Sequence, residues 1–233
     1  SGQVGYAVMG KLLKTTDAGD SWFVSNLVNQ KHATTMEWPS ADTGFVACIN
    51  GPLYRTINGG LSWDSIFGNF EGFSIPLISF INAQTGFLVQ FVQGTPGWTD
   101  LYKTSNSGAD WQVVLPNSQI QGAITSMFFI DSNLGWISFE GPGGATIGKT
   151  QNGGQSWTYT LLPNLVFSTI CFVSPAIGYG LAGGRMFRTL NGGTTWELAG
   201  PSENQVGPVN SERSFSGMLF QEEKPIAVFG KGG

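Results

Sequence analysis

Hydrophobic positions along the chain fall in short runs bounded by glycine, asparagine and serine, as in Gly44-Phe-Val-Ala-Cys48 and Gly86-Phe-Leu-Val-Gln90. Runs this short, closed by turn residues at both ends, predict strands. One such run opens on a glycine-aromatic pair five times: Gly5-Tyr6, Gly44-Phe45, Gly86-Phe87, Gly135-Trp136 and Gly178-Tyr179. A second run, ending in an aromatic, lies upstream of the pair: Met36-Glu37-Trp38, Ile78-Ser79-Phe80, Met127-Phe128-Phe129, Ile170-Cys171-Phe172 and Met218-Leu219-Phe220.

Downstream of each pair stands a nine-residue box, [KR]-T-x-[DN]-x-G-x-[STD]-W, at Lys14–Trp22, Arg55–Trp63, Lys103–Trp111, Lys149–Trp157 and Arg188–Trp196. The tryptophans are spaced by 41, 48, 46 and 39 residues, the length of a propeller blade. Each unit then holds four strands, a to d from the centre outwards, with the box as the hairpin between c and d. Its Asp or Asn accepts bonds from turn amides, its glycine supplies a positive φ, and its tryptophan covers the turn. A lone hairpin is marginal, so the units must stack to bury their faces. The expected fold is all-β, a single β-propeller domain over residues 1–233 with five four-stranded blades.

The ends bear on closure. The chain begins at a b strand, Gly5-Tyr-Ala-Val-Met9, and offers an unpaired a strand at Ser216–Phe220, so the C-terminal strand is expected to close the N-terminal blade. One feature resists this. Ile226-Ala-Val-Phe-Gly-Lys231 repeats the pattern of Tyr6-Ala-Val-Met-Gly-Lys11, a duplicated strand b with three readings: it packs elsewhere, it exchanges with another chain, or the sequence is part of a longer propeller; the oligomeric state stays open.

Composition narrows the function. The 34 glycines and 11 prolines fit a turn-rich all-β chain. Only 11% of residues are charged and the net charge is −4, so no basic field exists for nucleic acid. No run approaches 18 apolar residues, and no membrane insertion is expected. Low charge with abundant small polar residues points to a secreted, periplasmic or otherwise extracytoplasmic setting. Cys48 and Cys171 fall at non-equivalent places in non-neighbouring units and read as buried thiols outside any disulfide.

The boxes resemble the Asp-box, or BNR, repeats of sialidases, sortilin-type receptors, xyloglucan-degrading hydrolases and photosystem II assembly factors. The combination of Phe80-Ile-Asn-Ala-Gln-Thr-Gly-Phe87 with Lys103–Trp111 is most similar to the Ycf48-like group. That resemblance implies a propeller with binding or assembly roles and no catalysis of its own; its usual seven blades exceed the five counted here.

No enzyme is expected. A sialidase-like site needs three clamping arginines; the chain has four, of which Arg55 and Arg188 hold the repeated box position, leaving Arg185 and Arg213. Glycosidase chemistry needs two carboxylates across a cleft. Glu37 is the candidate, standing in an innermost strand where other units carry Ser79, Phe128, Cys171 and Leu219; the alternative is a charge hydrogen-bonded at a wet channel. Glu140, Glu203 and Glu212 are read in loops. No cofactor or metal is expected: four boxes carry Asn in place of Asp, poor for calcium, and His32 has no ligand cluster.

A partner is expected on the d-to-a and b-to-c loops, which vary while the strands repeat. The b-to-c loop of the third unit, residues 92–100, is long and carries Trp98, the tryptophan outside the regular positions. The next loop candidates are Phe70 and Phe73 in a short aromatic d-to-a loop, and Arg213 in a long polar one; Glu37, on its innermost strand, is grouped with them as a residue for the ligand or partner. The leading expectation is a protein-binding scaffold or assembly module; the alternatives are a glycan-binding propeller and, behind it, a glycoside hydrolase.

Overall fold

The computed structural model describes residues 3–27, 32–48, 51–67, 75–91, 94, 97–199, 213–221 and 224–231. The chain divides into two compact units, Ser1–Gln119 and Ile120–Gly233.

The first unit holds three sheets. β1 (Gly5–Val8), β2 (Leu12–Thr15) and β3 (Phe23–Val24) form a three-stranded meander. β4 (Ala33–Glu37), β5 (Gly44–Cys48), β6 (Leu53–Thr56) and β7 (Asp64–Phe67) form the next, with four strands. β8 (Leu77–Phe80), β9 (Gly86–Phe91), β10 (Thr99–Thr104) and β11 (Gln112–Leu115) form the third, followed by the single turn α1 (Asn117–Ile120).

The second unit holds two four-stranded sheets. They are β12 (Ala123–Phe129), β13 (Gly135–Gly141), β14 (Gly144–Thr150) and β15 (Thr158–Leu161), then β16 (Phe167–Phe172), β17 (Gly178–Ala182), β18 (Arg185–Thr189) and β19 (Glu197–Leu198). A two-stranded sheet of β20 (Arg213–Gln221) and β21 (Lys224–Lys231) completes it.

The duplicated strand b thus has a partner: β20 pairs with β21, its chain neighbour, and the first blade stands as three strands. The hairpin copies the a–b pairing of the second, fourth and fifth blades, while the third pairs without a bulge. Strand a carries a one-residue bulge at Thr34, Thr125 and Ser168, and β20 carries its own at Ser216. A bulge strands one carbonyl of the facing strand. The bulged hydroxyl meets it: Thr34 donates to the Ala47 carbonyl at 3.2 Å, Thr125 to Ser138 at 3.1 Å and Ser168 to Leu181 at 3.2 Å.

The cores lie in the seams between neighbouring sheets. Leu12, Val46, Cys48, Tyr54 and Trp63 fill the seam of the first and second blades; Phe45, Ala47, Leu53, Ile75, Ile78, Phe80 and Leu88 fill the seam of the second and third. In the second unit Trp136, Ile147, Phe167, Ile170, Phe172 and Ala182 do the same. Each seam is keyed by a stacked ring pair, the b-strand aromatic of one blade on the a-strand aromatic of the next: Tyr6 on Trp38 at 3.8 Å, Phe45 on Phe80 at 3.5 Å, Trp136 on Phe172 at 3.7 Å. The same a-strand rings meet the box tryptophan of their own blade edge-on, as Trp38 meets Trp63 and Phe80 meets Trp111. This explains the glycine before each b-strand aromatic. A Cβ added at Gly44, Gly86, Gly135 or Gly178 would lie 2.7, 2.3, 2.1 or 2.5 Å from the a-strand ring.

The box itself turns on a residue that sequence reasoning passed over. Thr56 is 1% exposed, donates to Asn58 Oδ1 at 2.9 Å and accepts the Gly60 amide at 2.9 Å; Asn58 Oδ1 then accepts the Ser62 amide at 2.9 Å. The other four boxes repeat these bonds around Thr15, Thr104, Thr150 and Thr189. The fifth box residue also has a positive φ, from 61° at Ser107 to 68° at Gly192, and its carbonyl turns toward the preceding blade. Lys14 and Tyr6 donate to the Gly59 carbonyl at 2.8 and 2.6 Å, Arg55 to that of Ser107 at 2.9 Å, and Trp136 to that of Gly192 at 2.8 Å. Lys14 and Arg55 are therefore latches between blades, whereas Arg188 pairs with Glu197 of its own blade.

Candidate binding surface

Strands a and b begin and end at opposite edges of each sheet, and this sorts the candidate residues. Glu37 pairs with Phe45, next to Gly44 where β5 begins, so it belongs to the edge of the a-to-b loops and the boxes. Trp98 immediately precedes Thr99, which pairs with Phe91 at the far end of β9, the edge of the b-to-c and d-to-a loops. Glu37 and Trp98 therefore stand at opposite edges of their sheets.

Glu37 is half-buried and its surroundings are apolar. Its cross-strand partner Phe45 is fully buried and stacked on Phe80. Among the described residues no side chain or backbone group donates to the carboxylate. Burial alone pushes its pKa up to about 7. A lone carboxyl poised at neutrality can hold or release a proton, but glycoside cleavage needs a second carboxylate at a set distance, and the equivalent a-strand positions carry Ser79, Phe128 and Cys171. Cys48 and Cys171 are both buried, and burial pushes the Cys171 thiol up to about 12, far from a reactive thiolate.

Trp98 is 37% exposed. The strand end beneath it is pinned. Asp100 accepts the Asn117 amide at 2.6 Å, and the Asn117 side chain, 4% exposed, donates to the Thr99 carbonyl at 3.3 Å. Asp100 thereby caps α1, and this bond across 17 residues is what sequence reasoning missed. The local signal was an Asp in the loop and a Pro-Asn pair after β11, which nothing in the sequence joins. The corresponding loop of the fourth blade is a tight turn between Gly141 and Gly144, so the long aromatic loop is particular to the third.

Phe70 and Phe73 lie outside the described residues, as do Glu203 and Glu212. Arg213 is the first residue of β20, paired with Lys231, and so starts a strand where a loop was expected. Glu140 is likewise in a strand, exposed on β13 opposite Ala123 and Ala145. His32 is exposed. Among the described residues no three His, Cys, Asp or Glu side chains stand together as a metal site, and no helix is long and apolar enough to cross a membrane.

No family model matches the chain, and no curated protein matches it. Solved structures do. YCF48 from Cyanidioschyzon merolae is similar over 100% of this chain and 78% of its own, with a TM-score of 0.70 and 16% identity. A structure of YCF48 bound to D1 peptide is similar over 99% and 87%, with a TM-score of 0.60 and 16% identity. The GH74 enzyme of Niastella koreensis is similar over 84% of this chain at a TM-score of 0.65 and 17% identity, but the chain spans only 36% of that enzyme. At these identities the likeness shows the fold: this is an all-β propeller, consistent with five blades.

Proposed function

We propose that the chain is a non-catalytic propeller of Asp-box repeats, a single domain over residues 1–233, that binds a protein partner in an extracytoplasmic compartment. The observation that carries this reading is coverage. The chain is similar end to end to YCF48 structures, one of them holding a peptide, whereas it matches about a third of the GH74 enzyme. Trp98 on its pinned strand end is the anchor, a large amphipathic ring held at low conformational cost beside the variable loops. Phe70 and Phe73 are assigned to the same binding surface by their place in a d-to-a segment of the sequence. Glu37 is assigned no contact with the partner.

A glycan-binding propeller is the second reading, favoured by the same exposed ring, because tryptophan also stacks on sugars. Panning a displayed peptide library on the full chain, beside a glycan array, separates the two. The protein-binding reading expects enriched peptides whose affinity falls at least about tenfold in Trp98→Ala, roughly the 1.4 kcal/mol of a modest hot spot. Glycan binding abolished by that substitution, with no peptide enriched, overturns it.

A further inference from the structure

The third blade differs from the others at one repeated position of strand c. Four residues before the box threonine the five blades carry Lys11, Pro52, Asp100, Thr146 and Arg185, so a carboxylate stands there once. Asp100 pairs across the sheet with Gln90, where the fourth blade pairs Thr146 with Phe139 and the fifth Arg185 with Ala182. The carboxylate is half-buried and oriented, since its Oδ1 accepts the Asn117 amide at 2.6 Å. Among the described residues no lysine, arginine or histidine pairs with it.

Alternation along β10 puts Asp100 on the same face as Tyr102. Tyr102 packs against the seam of the second and third blades, and burial, followed by the charge of Asp100, pushes its hydroxyl pKa up. Trp98 stands two residues before Asp100 and continues that line to the edge of the sheet, where its ring is 37% exposed. An oriented carboxylate therefore stands two residues from an exposed indole. The face of an indole is negative, so ring and carboxylate attract the same kind of group, a cation. An anion meets repulsion from Asp100. A purely apolar side chain would cover Trp98 while stripping water from a charge that it cannot pair.

We propose that this end of the third blade takes a basic side chain of the protein partner, an arginine or a lysine, with its aliphatic stem along the Trp98 ring and its charged head on the second oxygen of Asp100. The proposal rests on the protein-binding reading above and adds to it the chemistry of the residue that is bound. Lys103 and Asp110, the other charged residues of the third blade, belong to its box at the opposite edge, so Asp100 sets the sign of the charge beside Trp98. The net charge of −4 favours approach of a basic segment in the same sense.

Peptides enriched by panning the displayed library on the full chain are expected to carry arginine or lysine. One of them is resynthesised with its arginine replaced by citrulline, or its lysine by acetyl-lysine, and both forms are titrated calorimetrically against the wild-type chain and Asp100→Asn. Asparagine keeps an oxygen for the Asn117 amide, so the thermal transition is expected to hold. The neutral peptide is expected to bind the wild type at least about tenfold more weakly than the basic one, and Asp100→Asn is expected to bind the two alike. Enriched peptides without a basic residue, no effect of neutralisation on the wild type, or an equal loss on Asp100→Asn overturns the proposal and leaves the protein-binding reading standing. No enriched peptide at all overturns both. Should Asp100→Asn fail to fold, salt replaces it: the affinity of the basic peptide alone is expected to fall as ionic strength rises, and an equal salt dependence of the two peptides overturns the proposal.

Discussion

The first and second blades are built from the same motifs and differ in one strand, which shows what strand a contributes. In the second blade Trp38 lies over Gly44, stacks on Tyr6 and meets Trp63 edge-on, and Trp63 is almost wholly buried. In the first blade the box is intact, with Thr15 3% exposed and Asp17 accepting the Ser21 amide at 2.9 Å, yet Trp22 is exposed. The box folds its own turn, but it needs the a-strand ring to bury its tryptophan. Local hydrogen bonds make the hairpin, and the innermost strand joins it to the core.

Substitutions at equivalent positions test that difference. The largest effect is expected at the glycines. Gly135→Val drives methyl groups into the Phe129 ring and should cost about 3 kcal/mol or more in denaturant unfolding, whereas Gly5→Ala, whose Cβ would meet the Thr15 methyl at 3.1 Å and no a-strand ring, should cost about 1 kcal/mol. Equal losses would break the comparison. Trp63→Ala should likewise cost about 3 kcal/mol and Trp22→Ala about 1 kcal/mol, in proportion to the area each buries.

Thr150→Val keeps the shape but leaves the Gly154 amide and the Asn152 side chain without their common partner. A loss of about 1–3 kcal/mol is expected, because a buried donor left unsatisfied bears its full desolvation cost. A value near zero in thermal unfolding would remove threonine as the hub of the box.

Glu37 gives the smallest and most condition-dependent effect. Its folded pKa of about 7 lies above the ordinary glutamate value of 4.5, so the folded state binds the extra proton and stability falls as pH rises through that window. The penalty is absent below the unfolded pKa and complete above pH 7, at roughly 2–3 kcal/mol. Glu37→Gln should remove this slope, stabilising the protein at pH 8 and changing little at pH 4. A slope that survives the substitution assigns it to another group. Asp17 has the opposite sign: its pKa is lowered to about 2, first by the Ser21 hydroxyl, then by Thr15 and the Ser21 amide. Its contribution is present above the usual aspartate pKa and fades as pH falls toward 2.

Strand order, blade length and the box hairpins were legible because each is set within about ten residues by turn chemistry and alternation. The glycine-aromatic pairs were visible as a pattern without a reason, since the ring that excludes a Cβ at Gly86 comes from Phe80, on another strand. The latch from Arg55 to the Ser107 carbonyl spans 52 residues and joins two blades. It reads in the sequence as an interchangeable cation, since a carbonyl accepts from Lys or Arg alike. The candidate site divided in the same way. Trp98 stood out by lying outside the repeat, but the Asp100 cap that holds its strand end depends on α1, which no local signal joins to it. Glu37 was grouped with that rim because composition shows a unique carboxylate and not the edge of the sheet it occupies.

By itself the sequence determined a five-fold series of hairpins with a spare a–b pair at the end, because short-range hydrogen bonds and alternating burial write themselves into a repeat. Only the tertiary structure decided which aromatic covers which glycine, how far Glu37 is desolvated, and that β20 takes β21. The covering rings and the burial of Glu37 depend on surfaces contributed by segments distant in the chain, which the repeat pattern does not record.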